Sequence, residues 1–281
     1  MTAKKFQDLN LSNAFLFAAA LSDNETCRLI LEMVLDESIP EVTVHTEHNI
    51  MYSSDFRSIR LDVYATDFAQ VEYNVEMQNT DEKNLAKRAR FHQSQMDVTS
   101  LKPGEDFSCL NPAYVIFICT FDPYGDGLYR YTFENRCLEL DKAFGDGTRK
   151  VILNTKGTNP EGVSELLVDF LHYVENTTDA YVKTIDKSSN VHKLHEKIKV
   201  LKKSRGWEER YMTFDEIMRR SEKAGEVRGY QEGHAQGRLE EREKMLKLLQ
   251  LMAENGETDL IPYLSGKPEL LEEMYQKYHL S

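Results

Sequence analysis

Residues Ala113-Tyr114-Val115-Ile116-Phe117-Ile118-Cys119-Thr120 form an almost unbroken apolar run. It has strand length, and the absence of polar alternation marks a strand covered on both faces. The chain must therefore build a sheet with a layer on each side. The rest of the sequence supplies the parts. Residues 11–35 read as helix, with Phe15, Leu16, Ala19 and Ala20 ahead of Leu29, Ile30, Met33 and Val34 and a break at Ser22-Asp23-Asn24. Strands are predicted over 42–52, 128–134 and 150–154. A helix over 82–101 stops before Pro103-Gly104, and Leu166, Leu167, Phe170 and Leu171 form the stripe of an amphipathic helix over 161–174. This order gives an α/β chain, a mixed central sheet flanked by helices.

Two further strands fall at Leu61–Asp67 and Val71–Gln78, joined by Phe68-Ala69-Gln70 as a hairpin loop. Centring the hairpin on Ala69 puts Asp62 across from Glu76, Tyr64 across from Asn74, and Arg60 across from Gln78, all on one side. Leu61, Val63, Val75 and Met77 line the other. Carboxylates directly opposed across a ladder repel unless something compensates them. Two readings stand. Asp62 and Glu76 are solvated acids on an open face, or they hold a divalent cation of the Mg²⁺ type, which takes one or two carboxylates plus water and phosphate oxygens. A one-residue bulge would separate them.

Length allows one sizeable core plus a smaller appendage. The four cysteines, Cys27, Cys109, Cys119 and Cys137, are scattered with no C-x-x-C, which argues against a zinc knuckle or disulfide framework. The polar start Met1-Thr2-Ala3-Lys4-Lys5 and the lack of a membrane-length apolar run lead to the expectation of a cytoplasmic protein with no membrane partner. A net charge of −12 weighs against a general polyanion binder. Locally, however, Lys83, Lys87, Arg88 and Arg90 cluster after the hairpin, and Lys193, Lys197, Lys199, Lys202, Lys203 and Arg205 form a second basic stretch.

From about Lys187 charges dominate and strand formers become scarce, so residues 187–281 read as a mainly helical C-terminal region after a first domain at 1–186. Within it Gly225, Gly229, Gly233 and Gly237 recur every four residues. Each glycine inside a helix costs about 1 kcal/mol relative to alanine. Either the repeat is a flexible linker, or it lets helices approach closely and the chain forms a homo-oligomer through this helix. The apolar stripe Leu239, Met245, Leu246, Leu249 and Met252 favours a packed helix.

Taken in order, Leu11-Ser12-Asn13-Ala14-Phe15, Arg60-Leu61-Asp62-Val63-Tyr64-Ala65, Tyr73-Asn74-Val75-Glu76-Met77-Gln78, Arg88-Ala89-Arg90-Phe91-His92 and Leu101-Lys102-Pro103-Gly104-Glu105-Asp106-Phe107 resemble the recombination-promoting nuclease and transposase family of the PD-(D/E)XK nuclease superfamily. The resemblance extends through Tyr124, and the glycine repeat is also typical of that family. It implies a restriction-endonuclease-like core with a helical C-terminal extension, and metal-dependent cleavage of DNA in a bacterial, mobile-element context. Asp62 then matches the first metal-binding acid and Glu76 the second, while Gln78 stands where the superfamily usually has lysine. Two more departures are Asn13-Ala14, where relatives often carry an aspartate, and His92, where an aromatic residue often follows Phe91.

The expected chemistry is phosphodiester hydrolysis. Asp62, Glu76 and the backbone carbonyl of Met77 hold Mg²⁺ or Mn²⁺, Gln78 orients the attacking water, and Arg88 meets the phosphate. Arg88, His92 and Gln95 share a helical face at i, i+4 and i+7. The competing expectation is a catalytically degenerate nuclease-fold protein that binds nucleic acid or assembles through its glycine helix. Glu47 and Asp55 are additional acids upstream of the hairpin, with no role assigned. Gly125-Asp126-Gly127 and Gly145-Asp146-Gly147 read as turns, and His192 with His195 as residues of a solvated helix.

Overall fold

The computed structural model describes residues 4–45, 51–52, 59–60 and 63–280. The expected strands and helices form, with shifted ends. Two helices, α1 (Ala14–Leu21) and α2 (Asn24–Leu35), replace the long first helix and break where Ser22-Asp23-Asn24 stands. The break is a double cap. Ser22 ends α1, while the Asp23 carboxylate accepts from the Thr26 amide at 2.9 Å and starts α2. Asn13 caps α1 in the same way, accepting from the Leu16 amide at 3.1 Å.

Ten strands follow among the described residues: β1 (Val42–Val44), β2 (Met51–Tyr52), β3 (Ile59–Arg60), β4 (Val63–Asp67), β5 (Glu72–Gln78), β6 (Ala113–Cys119), β7 (Arg130–Phe133), β8 (Arg136–Cys137), β9 (Lys142–Ala143) and β10 (Thr148–Asn154). Six of them make one mixed sheet in the order β1-β4-β5-β6-β10-β7. β5, β6 and β10 are mutually parallel neighbours, and β1, β4 and β7 run antiparallel to theirs. The strand expected over 42–52 is not one strand. β1 ends at Val44, and Met51–Tyr52 pairs with Ile59–Arg60 in a separate two-stranded sheet.

The apolar run becomes β6, near the middle of the sheet, and its residues divide by parity. Ile116 and Ile118 join the main core with Val63, Ala65, Val75, Met77, Val151 and Leu153. Ala113, Val115, Phe117 and Cys119 face the other way and pack with Ala89 and Met96 of α3 (Leu85–Ser100). A parallel pair requires a crossover, and α3 is the one that joins β5 to β6. Full burial of a side chain such as Phe117 contributes roughly 1.5–3 kcal/mol, so each covering layer holds the strand substantially.

The main core is closed by α1, α2, α4 (Glu165–Glu175), α6 (Asn190–Lys202) and the start of α7 (Arg205–Glu254). A short helix, α5 (Asp179–Val182), precedes α6. The Tyr173 hydroxyl lies 2.9 Å from His195 Nδ1, and His195 Nε2 lies 2.8 Å from Asp179. That chain ties α4, α5 and α6 together and gives His195 a structural role.

The chain divides into two compact units, residues 1–215 and 216–281. The first holds the sheet and the core just described. The second holds the rest of α7 with α8 (Ile261–Leu264) and α9 (Pro268–Lys277), and its own small core of Leu248, Met252, Leu264, Met274 and Tyr275.

Candidate active site

The hairpin forms in the expected register. Val63 pairs with Val75, Tyr64 with Asn74, Ala65 with Tyr73 and Thr66 with Glu72. Phe68-Ala69-Gln70 is the loop, closed by the Val71 carbonyl accepting from Asp67 at 3.1 Å, with Gln70 in the left-handed region at φ 63°. No bulge interrupts this ladder. Asp62 lies outside the described residues, as do Glu47 and Asp55.

One face of β5 carries Tyr73, Val75 and Met77 into the main core. The other carries Glu72, Asn74, Glu76 and Gln78, which pair in the ladder with Ala113, Val115, Phe117 and Cys119 of β6. All four polar side chains are buried. A buried row of this kind must be partnered, because an unsatisfied polar group costs about 1–3 kcal/mol and a lone charge more. α3 supplies most of the partners.

Glu76 is the centre of the row. Its Oε1 is ion-paired with Arg88 Nη2, and Arg88 Nη1 donates to Gln78 Oε1 at 2.5 Å. The Arg88 guanidinium also sits 5.5 Å from the centroid of the Phe117 ring. The other carboxylate oxygen, Oε2, is 3.2 Å from His92 Nε2, yet the two are not aligned as a hydrogen bond, and Oε2 has no hydrogen-bond partner. His92 is buried and meets the Phe117 ring edge-on at 5.9 Å. Gln78 has both ends of its amide engaged: Nε2 donates to the Thr80 carbonyl at 2.5 Å while Oε1 receives Arg88. The amide thus braces Arg88. Met77 contributes its side chain to the main core. Gln95, the third residue of the expected helical face, is half-buried.

At the far end of the row Glu72 Oε1 accepts from Ser100 Oγ and, at 3.1 Å, from Asn111 Nδ2. Burial, and then the hydrogen bond to Glu72, push the Tyr64 hydroxyl well above the usual tyrosine range. Burial also pushes the Cys119 thiol, beside Gln78 in the ladder, up to about 12. Sequence reasoning placed Asn74 on this face but missed Glu72 as the far member of the row. The signal was the alternation Glu72, Asn74, Glu76, Gln78, four polar residues on one side of a strand.

Glu76 and Gln78 lie at the carboxyl end of β5, where open α/β sheets present their ligand sites. Just beyond, Asn79 donates to the Ser12 carbonyl at 2.8 Å and accepts from Thr120 at 3.2 Å. A polar cavity of about 380 Å³ opens there, lined in part by Asn13, Asn79, Thr120 and Glu175.

A family model described as PD-(D/E)XK nuclease family transposase matches residues 15–223. The chain belongs to that family. No curated protein and no solved structure gives a match. The fold is in keeping with that family, a mixed sheet flanked by helices with a long C-terminal helix. Membership supports a nuclease-like function linked to mobile elements. Among the described residues no helix is long and apolar enough to cross a membrane, and no group of three or more His, Cys, Asp or Glu residues forms a metal cluster.

Proposed function

We propose that this family member is a metal-dependent DNA endonuclease that hydrolyses phosphodiester bonds in the cytoplasm, in recombination or mobile-element processes. One observation carries the reading. Glu76 is a buried carboxylate in the family-matched region whose Oε2 has no hydrogen-bond donor. An acceptor oxygen in that condition fits a hard cation, and a single described carboxylate is too few to hold one alone. Asp62 completes the pair. The hairpin as read from the sequence sets Asp62 across from Glu76. In this reading Asp62, Glu76 and the Met77 carbonyl are the ligands of Mg²⁺ or Mn²⁺. When bound, such an ion supplies Lewis acidity toward the phosphate and a water of lowered pKa.

The chain's own groups then divide the remaining work. Arg88 provides the positive charge that the superfamily lysine would bring, and its planar guanidinium suits phosphate oxygens. Gln78 aims Arg88, which explains how glutamine serves at a lysine position. The 1–186 domain expected from sequence contains all of these residues.

A homo-oligomer through α7 belongs to the same reading. A Cβ added at Gly225, Gly229, Gly233 or Gly237 meets nothing within 4 Å among the described residues, so no packing among them accounts for four helix-weakening residues. A second copy does.

The competing function, a catalytically degenerate module that binds nucleic acid or assembles, is favoured by Gln78 and by the charge of Glu76 being matched by Arg88. Incubating the protein with supercoiled DNA in Mg²⁺, Mn²⁺ or EDTA, alongside Glu76→Ala, separates the two. Nicking that needs both metal and Glu76 is expected. Folded protein that cleaves with neither metal overturns the nuclease reading and leaves the module.

A further inference from the structure

On one side the main sheet ends at β7, whose outer edge has no strand beside it among the described residues. The ladder fixes which main-chain groups point outward. The Tyr129 carbonyl accepts from the Asn154 amide at 2.9 Å, and Tyr131 and Phe133 pair onward with Ile152 and Lys150. Tyr129, Tyr131 and Phe133 therefore turn their main chain toward β10, and the alternate residues Arg130, Thr132 and Glu134 turn theirs away. An edge of this kind templates pairing with another chain unless proline, a bulge or a row of like charges blocks it. β7 has neither proline nor bulge, and its two flanking charges, Arg130 and Glu134, are of opposite sign.

Four residues make a short edge, so the side chains decide which strand it accepts, and they are complementary to themselves. In antiparallel pairing about a two-fold axis at Thr132, Arg130 stands opposite Glu134 of the second copy, Thr132 meets Thr132, and Tyr131 faces Phe133. Opposite-charge, Thr–Thr and aromatic pairs each favour a ladder. Sliding the copies by two residues either way keeps the outward groups in register but sets each charge against Thr132. Arg130 has no acidic partner among the described residues, so it is available. Glu134 shares Arg136 with Asp141, at 2.9 and 3.0 Å, and Arg136 keeps a carboxylate when Glu134 turns outward. Exposed apolar side chains continue the match. Tyr124 and Leu128 precede β7, while Leu138, 90% exposed, follows it. Antiparallel pairing runs the residues after one strand toward those before the other.

We propose that β7 is a dimer edge, where a second copy of this chain pairs antiparallel in the register that sets Arg130 against Glu134 and joins the two sheets. The interface is distinct from the glycine face of α7 and uses no residue of the nuclease centre.

Cysteine cross-linking of the full-length protein tests the register, in a background where Cys109→Ser and Cys137→Ser remove the accessible thiols. Directly opposed, hydrogen-bonded residues have Cα atoms about 5.5 Å apart, within disulfide reach. Under a thiol oxidant such as diamide, Thr132→Cys, on the axis, is expected to give a covalent dimer about 10-fold faster than Leu138→Cys, which is more exposed but far from the axis. Random collision predicts the reverse order. Because this disulfide forms only where two β7 edges meet, association through α7 does not imitate it. Charge reversal supplies a second reading by sedimentation. Arg130→Glu is expected to weaken association about 10-fold by setting like charges opposite, and Arg130→Glu with Glu134→Arg to restore it. Equal or slower cross-linking at Thr132→Cys, or a double reversal that associates no better than the single one, overturns the proposal. DNA cleavage is not read at any point, so the nuclease reading stands or falls separately.

Discussion

Arg88 joins two residues of β5 with one side chain, and its chemistry makes that role specific. Its guanidinium reaches Glu76 Oε1 through one nitrogen and Gln78 Oε1 through another. Lysine keeps the charge but offers a single ammonium, so it cannot hold both at once. Arg88→Lys is expected to fold and lower cleavage by about 10–100-fold, the range found when residues supporting a metal site are lost. Arg88→Ala is harsher. It leaves a buried carboxylate without its cation and should destabilise the fold by about 3 kcal/mol, visible as an earlier urea midpoint at unchanged slope. Equal stability of Arg88→Ala and the parent protein would show that the pair contributes nothing.

At the scale of elements, α7 poses a quantitative question. Its 50 residues include four glycines four apart that have room for a methyl group within the chain. Replacing all four with alanine gains about 1 kcal/mol of helix propensity at each site. If the repeat lies against a second copy, the same methyl groups obstruct close approach. The expected result is a quadruple alanine variant that melts later as a monomer and self-associates more weakly in analytical ultracentrifugation. Undiminished association would remove the glycines from the interface. The crossover helix α3 shows a different principle. It covers the apolar residues of β6 with Ala89 and Met96 while meeting the polar row of β5 with Arg88, His92 and Ser100. One helix thus supplies both packing and the charged partners of the site.

For the whole molecule, burial sorts the thiols and hydrogen bonding sorts the acids. Burial pushes Cys27 and Cys119 up to about 12, whereas Cys109 is exposed and Cys137 half-buried. Alkylation at pH about 8 should label Cys109 and Cys137 quickly and reach the other two only on unfolding. Fast labelling of Cys119 would mean that α3 opens readily. Asp23, Asp122 and Asp146 are held below the usual 3.8. Burial acts to raise each of them and is outweighed by hydrogen bonds, chiefly Thr26 and Lys197 to Asp23, Gly127 and Gly125 amides to Asp122, and Asn135 with Thr148 to Asp146. A carboxyl depressed on folding stabilises the protein above its unfolded value and loses that contribution as pH falls through the folded one. The urea midpoint should therefore decline below a pH of about 4, and Asp122→Asn should flatten part of that decline.

Periodicity is local, and what depends on it was legible in the sequence. The unbroken run 113–120 specified a strand covered on both sides, and β6 divides its residues between two layers by parity. The loop at 68–70 specified the register that pairs Tyr64 with Asn74, since a two-residue period leaves no freedom once the loop is placed. The i, i+4 spacing of Arg88 and His92 put both on one helical face, where both meet Glu76. What the tertiary structure alone decided is which faces are covered and by what. The polar side of β5 reads from sequence as either an open face or a cation-holding one, and it is buried because the crossover from β5 to β6 must lay α3 over it. The same packing gave Gln78 an arginine to brace. Met51–Tyr52 left the main sheet to pair with Ile59–Arg60, a choice between ladders that no spacing within the strand encodes. Burial is a property of distant segments brought together, so the chemistry of a buried polar row appears only once its cover is in place.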